Sequence, residues 1–276
     1  LPFAYLGMLL AARQGTDNRG WPTWHHVLWI TLAMAAARTL AMAINRLADR
    51  QIDAQNPRTA NRPLASGRVR PRTAWIGVAA ALALLVTSAY QLGPLPLVLL
   101  PGALALLTCY AFAKRVTWLS HFILGLTDGL APMGAWVAVR GSLFSAGDLP
   151  AWLLLGAVTC WIGGFDLIYA CQDIDFDRRQ RLHSIPARFG AAAALRVSTA
   201  SHVLAMLLLI FLGIVTQLTW PYAIGLVIVA SLLTVEHRLV KPQDLSHIHI
   251  AFFQVNSAIS ITLFFSVLTA LAIRPT

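Results

Sequence analysis

Asn45, Asp49 and Asp53 fall four residues apart, and Asp173 and Asp177 repeat the interval. At 3.6 residues per turn this spacing lines side chains along one helix face, about 6 Å apart. Carboxylates so arranged suit a hard divalent cation. Mg²⁺ takes one or two carboxylates, keeps waters and borrows oxygens from substrate phosphates. The Asn45 amide oxygen fits the same incomplete shell. Behind the first group runs Asn56-Pro57-Arg58-Thr59-Ala60-Asn61-Arg62-Pro63-Leu64, where Arg58 and Arg62 offer paired donors to phosphate oxygens. Two such groups suggest a site for divalent metal and a phosphorylated ligand. The plainer alternative is a helix end with local Arg–Asp pairs and a basic loop.

The chain has 11 acidic residues, and Asp49, Asp53, Asp166, Asp173, Asp175 and Asp177 are six of them. In a protein that is 58% hydrophobic, carboxylates at membrane depth are costly and commonly functional. Asp166 precedes Asp173 by seven residues, about two turns on the same face, and follows the apolar run 151–165. It reads as the residue that orients or deprotonates a substrate hydroxyl, or else as a structural hydrogen bond to a neighbouring helix. Asp175 points elsewhere, toward a helix end or solvent, and His183 reads as structural or surface. Asp128 lies in an apolar stretch, where it lines a pocket or pairs with Arg38.

The elements that must carry these residues are helices. A mean hydropathy of +0.67 with 12% charged residues places the chain among integral membrane proteins. Spans of the length a bilayer needs, about 20 residues, are expected at 25–45, 73–92, 95–112, 118–139, 150–171, 192–216, 219–237 and 250–273. Leu1 to Ala12 is apolar but too short to cross, and reads as the end of a truncated first helix, giving about nine. No basic segment precedes it, so no signal-peptide pattern is seen. The expected fold is a single all-α domain, 1–276, a transmembrane bundle around a central apolar chamber opening at the cytoplasmic rim. Cys109, Cys160 and Cys171 lack metal spacing and read as small packing residues.

A net charge of +10 raises nucleic acid as a partner, but its distribution argues for a membrane. Of the 21 Lys and Arg, 16 fall in the alternate loops 46–72, 113–117, 178–196 and 238–241. Arg13, Arg19, Arg140 and Arg274 fall on the other side, and Arg38 lies within a span. This asymmetry places the basic loops in the cytoplasm, and both acid groups share that side. Each acid group closes a helix and opens a basic loop, so a weak pseudo-repeat is possible.

With these features in hand, the chain resembles the UbiA superfamily of intramembrane prenyltransferases. Asn45-x-x-x-Asp49-x-x-x-Asp53 with Pro57-Arg58-Thr59 and Arg62-Pro63-Leu64 resembles its first signature. Asp166-x-x-Tyr169-Ala170-x-x-Asp173-x-x-x-Asp177 resembles the second, and Tyr110-x-x-x-Lys114-Arg115-x-Thr117 the short motif between them. The stretches 165–177 and His183-Ser-Ile-Pro-Ala-Arg-Phe-Gly190 are most similar to the 4-hydroxybenzoate polyprenyltransferase branch, and to relatives assigned to menaquinone synthesis by the futalosine route. One departure is Arg46, where hydroxybenzoate enzymes often carry Asp.

The resemblance implies Mg²⁺ on Asp49, Asp53, Asp173 and Asp177, and diphosphate binding by Asn45, Arg58, Arg62 and Lys114. It implies catalytic roles for Asp166, Tyr110 and Lys114. The partners would be a polyprenyl diphosphate, an aromatic acid and membrane lipid, not nucleic acid, in a bacterial inner membrane. Trp136, Trp161 or Phe165 would face the allyl cation or simply pack. Other acceptors within the superfamily are haem, chlorophyll or archaeal lipid precursors. A cation transporter would need carboxylates near the midplane and a route out the other side, and a CDP-alcohol phosphotransferase a denser Asp-rich segment. His247-x-His249 has no third ligand nearby and reads as loop surface.

Overall fold

The computed structural model describes residues 1–14, 20–245, 248 and 251–273. His247, His249, Arg19 and Arg274 lie outside them. The described residues hold twelve α-helices and no strand, save one isolated bridge, Lys241 to Asp244. Eight stretches are long and apolar enough to cross a membrane. They contain α2 (Trp24–Ala48), α4 (Pro71–Leu92), α5 (Pro94–Val116), α6 (Ser120–Arg140), α7 (Leu149–Ala170), α10 (Ala191–Val215), α11 (Trp220–Leu239) and α12 (Asn256–Ile273). These agree with the expected spans to within a few residues, except that 251–255 forms a π turn leading into α12. The ninth apolar helix is α1, Pro2–Gln14.

Local chemistry explains the boundaries. Proline opens α4 and α5 at a position that lacks an intrahelical acceptor for its nitrogen anyway. Gly93 joins them at φ 120°, a backbone state that a side chain resists. The Thr23 hydroxyl accepts from the His26 backbone N–H and starts α2.

The helices pack in two groups. Leu40 of α2 meets Val78 and Ala81 of α4 and Leu107 of α5 in a small apolar cluster. The larger cluster joins Leu6 and Leu10 of α1, Trp136 of α6, Leu154 and Val158 of α7, Leu212 of α10, Val229 of α11 and Ile259 of α12. Between α6 and α7 the approach is so close that a Cβ on Gly125 would lie 2.2 Å from the Thr159 carbonyl oxygen. Gly7 of α1 sits as tightly against the backbone of Pro132. Glycine is required here for contact rather than for conformational freedom.

The α6–α7 connection is fixed by Asp148, which is fully buried. Its carboxylate accepts from Trp136 Nε1, Ser142 Oγ, and the Ser145 backbone N–H and hydroxyl, at 2.6–2.9 Å. Trp136 is thereby committed to packing at the end of α6 far from the acid groups. Asp148 shows what a structural carboxylate in this fold looks like.

Candidate active site

At the other end, both acid groups straddle a helix break. α2 stops at Ala48, and Asp49 adopts φ −94°, ψ 6° before the six-residue α3, Arg50–Gln55. α7 stops at Ala170, and a 3-10 turn, Cys171–Asp173, leads into the six-residue α8, Ile174–Arg179. Asp173 has φ −104°, ψ 9°. The expected unbroken stripes are thus two helices meeting at an aspartate. Asp competes with the helix backbone through its own side chain and favours such junctions. Backbone bonds still bridge the first break, Asp49 N to Asn45 O at 2.9 Å and Asp53 N to Asp49 O at 2.7 Å, so the register of the carboxylates survives.

The loop following α3 carries its arginines back onto the carboxylates. Arg62 Nη1 donates to both oxygens of Asp53, at 2.7 and 2.9 Å, and Arg46 lies 3.7 Å from the same group. Arg58 reaches the other acid group, with Nε 3.1 Å from Asp173 Oδ1, Nη2 on Oδ2, and Nη1 donating to the Tyr169 hydroxyl at 2.7 Å. Asn56 Nδ2 donates to Asp173 Oδ1 as well, at 3.3 Å. Burial opposes the Arg58 charge, but the paired bonds to Asp173 outweigh it and raise its pKa. Residues more than 100 positions apart are joined directly.

Asp49 receives Arg115 Nη2 at 3.1 Å. Burial raises its carboxyl above the usual value, and that bond partly offsets the shift. Asp177 is buried and accepts from Ser184 Oγ at 2.9 Å. Ser184 caps the short helix α9, Ile185–Phe189, and the preceding residue, His183, has an exposed ring whose backbone N–H bonds the Lys114 carbonyl at 2.6 Å. The α5–α6 and α8–α9 connections are tied together by this bond. Asp175 is exposed.

Lys114 is half-buried at the end of α5. Its charge acts on Asp49, Asp166 and Asp177, yet it forms no ion pair with any of them among the described residues. One turn back, Tyr110 accepts from Asn45 Nδ2 at 3.2 Å. Deeper in the bundle, Asp166 Oδ2 lies 2.7 Å from His121 Nδ1. Asp128 and Arg38 interact electrostatically across α6 and α2 without a direct ion pair, and both side chains remain accessible. Trp161 packs between Phe3 and Phe165 in tilted and edge-to-face contacts, with centroids at 4.9 and 5.7 Å.

The structure therefore gathers Asn45, Asp49, Asp53, Arg58, Arg62, Tyr110, Lys114, Asp166, Asp173 and Asp177 at one end. His121 and Arg115 were missed by sequence reasoning. His121 has no sequence signal, being a single histidine in an apolar run, whereas Arg115 stood in a quoted motif without a role. Among the described residues no three His, Cys, Asp or Glu side chains converge tightly enough to hold a metal ion unaided.

Known proteins resemble this chain over most of its length. Over 248 residues the chain is 31% identical to a 4-hydroxybenzoate octaprenyltransferase of Chromohalobacter salexigens, covering 90% of this chain and 80% of that protein. It superposes on the apo structure of a UbiA homolog from Aeropyrum pernix with a TM-score of 0.86 and 35% identity, covering 97% and 95% of the two chains. A UbiA homolog from Archaeoglobus fulgidus bound to DMAPP and Mg²⁺ shares the fold, with a TM-score of 0.59 at 18% identity over 99% and 97%. The profile of the UbiA prenyltransferase family matches residues 1–258. From the spacing of its carboxylates to the course of its helices, this chain is an integral membrane protein that belongs to the UbiA prenyltransferase family.

Proposed function

We propose that this protein moves a polyprenyl group from an allylic diphosphate onto the ring of a hydroxylated aromatic acid, 4-hydroxybenzoate or a dihydroxynaphthoate, in quinone biosynthesis. The reaction would occur at the cytoplasmic face of a bacterial inner membrane. The observation that carries this reading is the meeting of both acid groups with five cationic side chains, Arg46, Arg58, Arg62, Lys114 and Arg115. The name of the Chromohalobacter relative supports the acceptor class.

The diphosphate head binds at Lys114, whose charge acts on Asp49, Asp166 and Asp177 without an ion pair to any of them. Arg58 and Arg62 hold Asp173 and Asp53 until the ligand arrives, then turn to phosphate oxygens, which their planar forks match equally well. Asn45 and Tyr110 present further polar groups to the same head. Asp49, Asp53, Asp173 and Asp177 fit Mg²⁺, because each pair supplies the one or two hard oxygens that this ion takes from protein while drawing the rest from phosphate and water. When bound, Mg²⁺ offsets the negative charge that builds on the leaving diphosphate.

The prenyl tail lies between apolar helices that exclude water from the allyl cation. Arg38 faces the acceptor carboxylate and favours an acid over a neutral lipid alcohol. Asp166 accepts the hydrogen of the acceptor hydroxyl and makes the adjacent ring carbon electron-rich. A carbon–carbon bond forms there, the carbon–oxygen bond to diphosphate breaks with its electron pair on diphosphate, and the ring proton is lost to restore aromaticity.

The test uses purified protein with Mg²⁺, a labelled polyprenyl diphosphate and a panel of 4-hydroxybenzoate, 1,4-dihydroxy-6-naphthoate and its 2-naphthoate isomer, read by mass spectrometry. A prenylated acid that vanishes in Asp49→Ala and Asp173→Ala is expected. Bound diphosphate without aromatic product would point to another acceptor, such as a tetrapyrrole or a lipid precursor. No diphosphate binding, with or without Mg²⁺, overturns the reading and favours a cation transporter with acidic rim sites.

A further inference from the structure

His121 stands in the first turn of α6, seven residues beyond Lys114 and outside every motif considered above. It is fully buried, and so is its Nε2, which has no hydrogen-bond partner among the described residues. Its one side-chain bond runs from Nδ1 to Asp166 Oδ2 at 2.7 Å. An ionised carboxylate only accepts, so against it Nδ1 carries the proton and donates. The Asp166 side chain is 19% exposed while His121 is 0%, so Asp166 lies on the open side and the imidazole behind it. The two helices that carry them are in close contact here: a Cβ on Gly163 would lie 2.8 Å from the Phe122 ring and one on Gly125 2.2 Å from the Thr159 carbonyl oxygen.

We propose that His121 is the positioning residue for acceptor activation: its Nδ1–H fixes Oδ2 of Asp166, leaving Oδ1 aimed at the hydroxyl of the phenolic acid. This rests on the role given above to Asp166. The arrangement inverts the familiar order in which an aspartate orients a histidine. Here the aspartate meets the substrate and the histidine stands behind. Buried carboxylates need a donor, and a donor from a rigid ring sets the angle of the carboxylate as well as satisfying it. An unpartnered Nε2 accords with selection for the Nδ1 contact alone.

Two substitutions of similar polarity separate positioning from packing. His121→Asn places its amide nitrogen near the Nδ1 position and can keep the bond to Asp166. His121→Gln fills more of the ring volume but carries its nitrogen out toward the Nε2 position. Turnover of farnesyl diphosphate with the phenolic acid that the wild type accepts is expected to stay within about 10-fold in His121→Asn, and kcat to fall about 100-fold in His121→Gln. Mg²⁺-dependent binding of farnesyl thiolodiphosphate, which does not ionise readily, should be unchanged in both. Asp166→Asn should lose at least as much as His121→Gln, and the double variant no more than Asp166→Asn, because the two act as a unit.

Equal or better turnover by His121→Gln than by His121→Asn assigns the histidine to packing and overturns the proposal. So does a parallel loss of thiolodiphosphate binding, or full activity in His121→Leu. Wild-type protein that binds the thiolodiphosphate yet prenylates no phenolic acid overturns the proposed function itself, and this role with it.

Discussion

The two acid groups are built on one plan and held in different ways. Each places an aspartate at a helix break and a second one four residues later in a six-residue helix. Asp53 is gripped by Arg62 from its own loop, with Arg46 alongside. Asp177 is held by a neutral serine hydroxyl, and Asp173 depends on Arg58 and Asn56, both from the far group's loop. Asp53 is therefore satisfied from its own loop while Asp49 takes Arg115 from α5, and Asp173 borrows its cation from the other group's loop. One loop, 56–62, serves both, and the pseudo-repeat is symmetric in its carboxylates but not in its arginines. Asp148 marks the contrast: its four donors are neutral and come from local structure.

Under the proposed function, removing a carboxylate assigned to Mg²⁺ gives the largest effect. Asp49→Ala and Asp173→Ala should each lower prenyl transfer about 1,000-fold, equivalent to several kcal/mol of lost charge stabilisation. Steady-state assays over a range of Mg²⁺ concentrations check this, and a large inequality between the two would break the symmetry. Arg58→Ala comes next. It should weaken diphosphate binding about 10- to 100-fold and also destabilise the metal-free protein by about 1–2 kcal/mol, since it strips Asp173 of its cation. Arg58→Lys should recover little, because a point charge cannot repeat the fork. Calorimetric titration and thermal melts measure both.

Arg62→Ala should destabilise less than Arg58→Ala, because Arg46 remains beside Asp53. The melting temperatures of the two variants decide that order. Ser184→Ala leaves Asp177 with one donor fewer and should cost about 1 kcal/mol and a few-fold in turnover. Asp175→Ala, an exposed aspartate in the same segment, should leave stability within about 0.5 kcal/mol and activity unchanged. A large loss there would show that the second group uses carboxylates beyond the repeated pair.

Most of the scaffold was legible in the sequence because it is written in hydropathy. The apolar runs expected for α4, α7, α10 and α11 lie within two residues of the observed helices. Asn45, Asp49, Asp53, Asp173 and Asp177 stood out by type and spacing, whereas Tyr110 and Lys114 entered only through the family resemblance. The breaks at Asp49 and Asp173 were not legible, since the interval of four that signals a helix also survives a junction bridged by backbone bonds. Nor were the arginine partners, because whether Arg58 bonds Asp173 or solvent depends on a loop returning across more than 100 residues. His121 acquires meaning only when α6 and α7 lie close enough for its ring to meet Asp166. Nothing in a single histidine after Ser120 announces that.

The α6–α7 seam has a consequence for efforts to change what the protein accepts. Gly125 packs against the Thr159 backbone and Gly163 against the Phe122 ring, so larger side chains there would separate the helices and displace Asp166. α2 offers the opposite situation around Arg38, where Ala35, Arg38, Thr39 and Met42 are all exposed. Under the proposed function, redesign of acceptor scope would leave the rigid α6–α7 seam alone and vary the open face of α2. Libraries at Ala35, Thr39 and Met42 that keep Arg38 would, on that reading, sample new acceptors without touching Asp166 or His121.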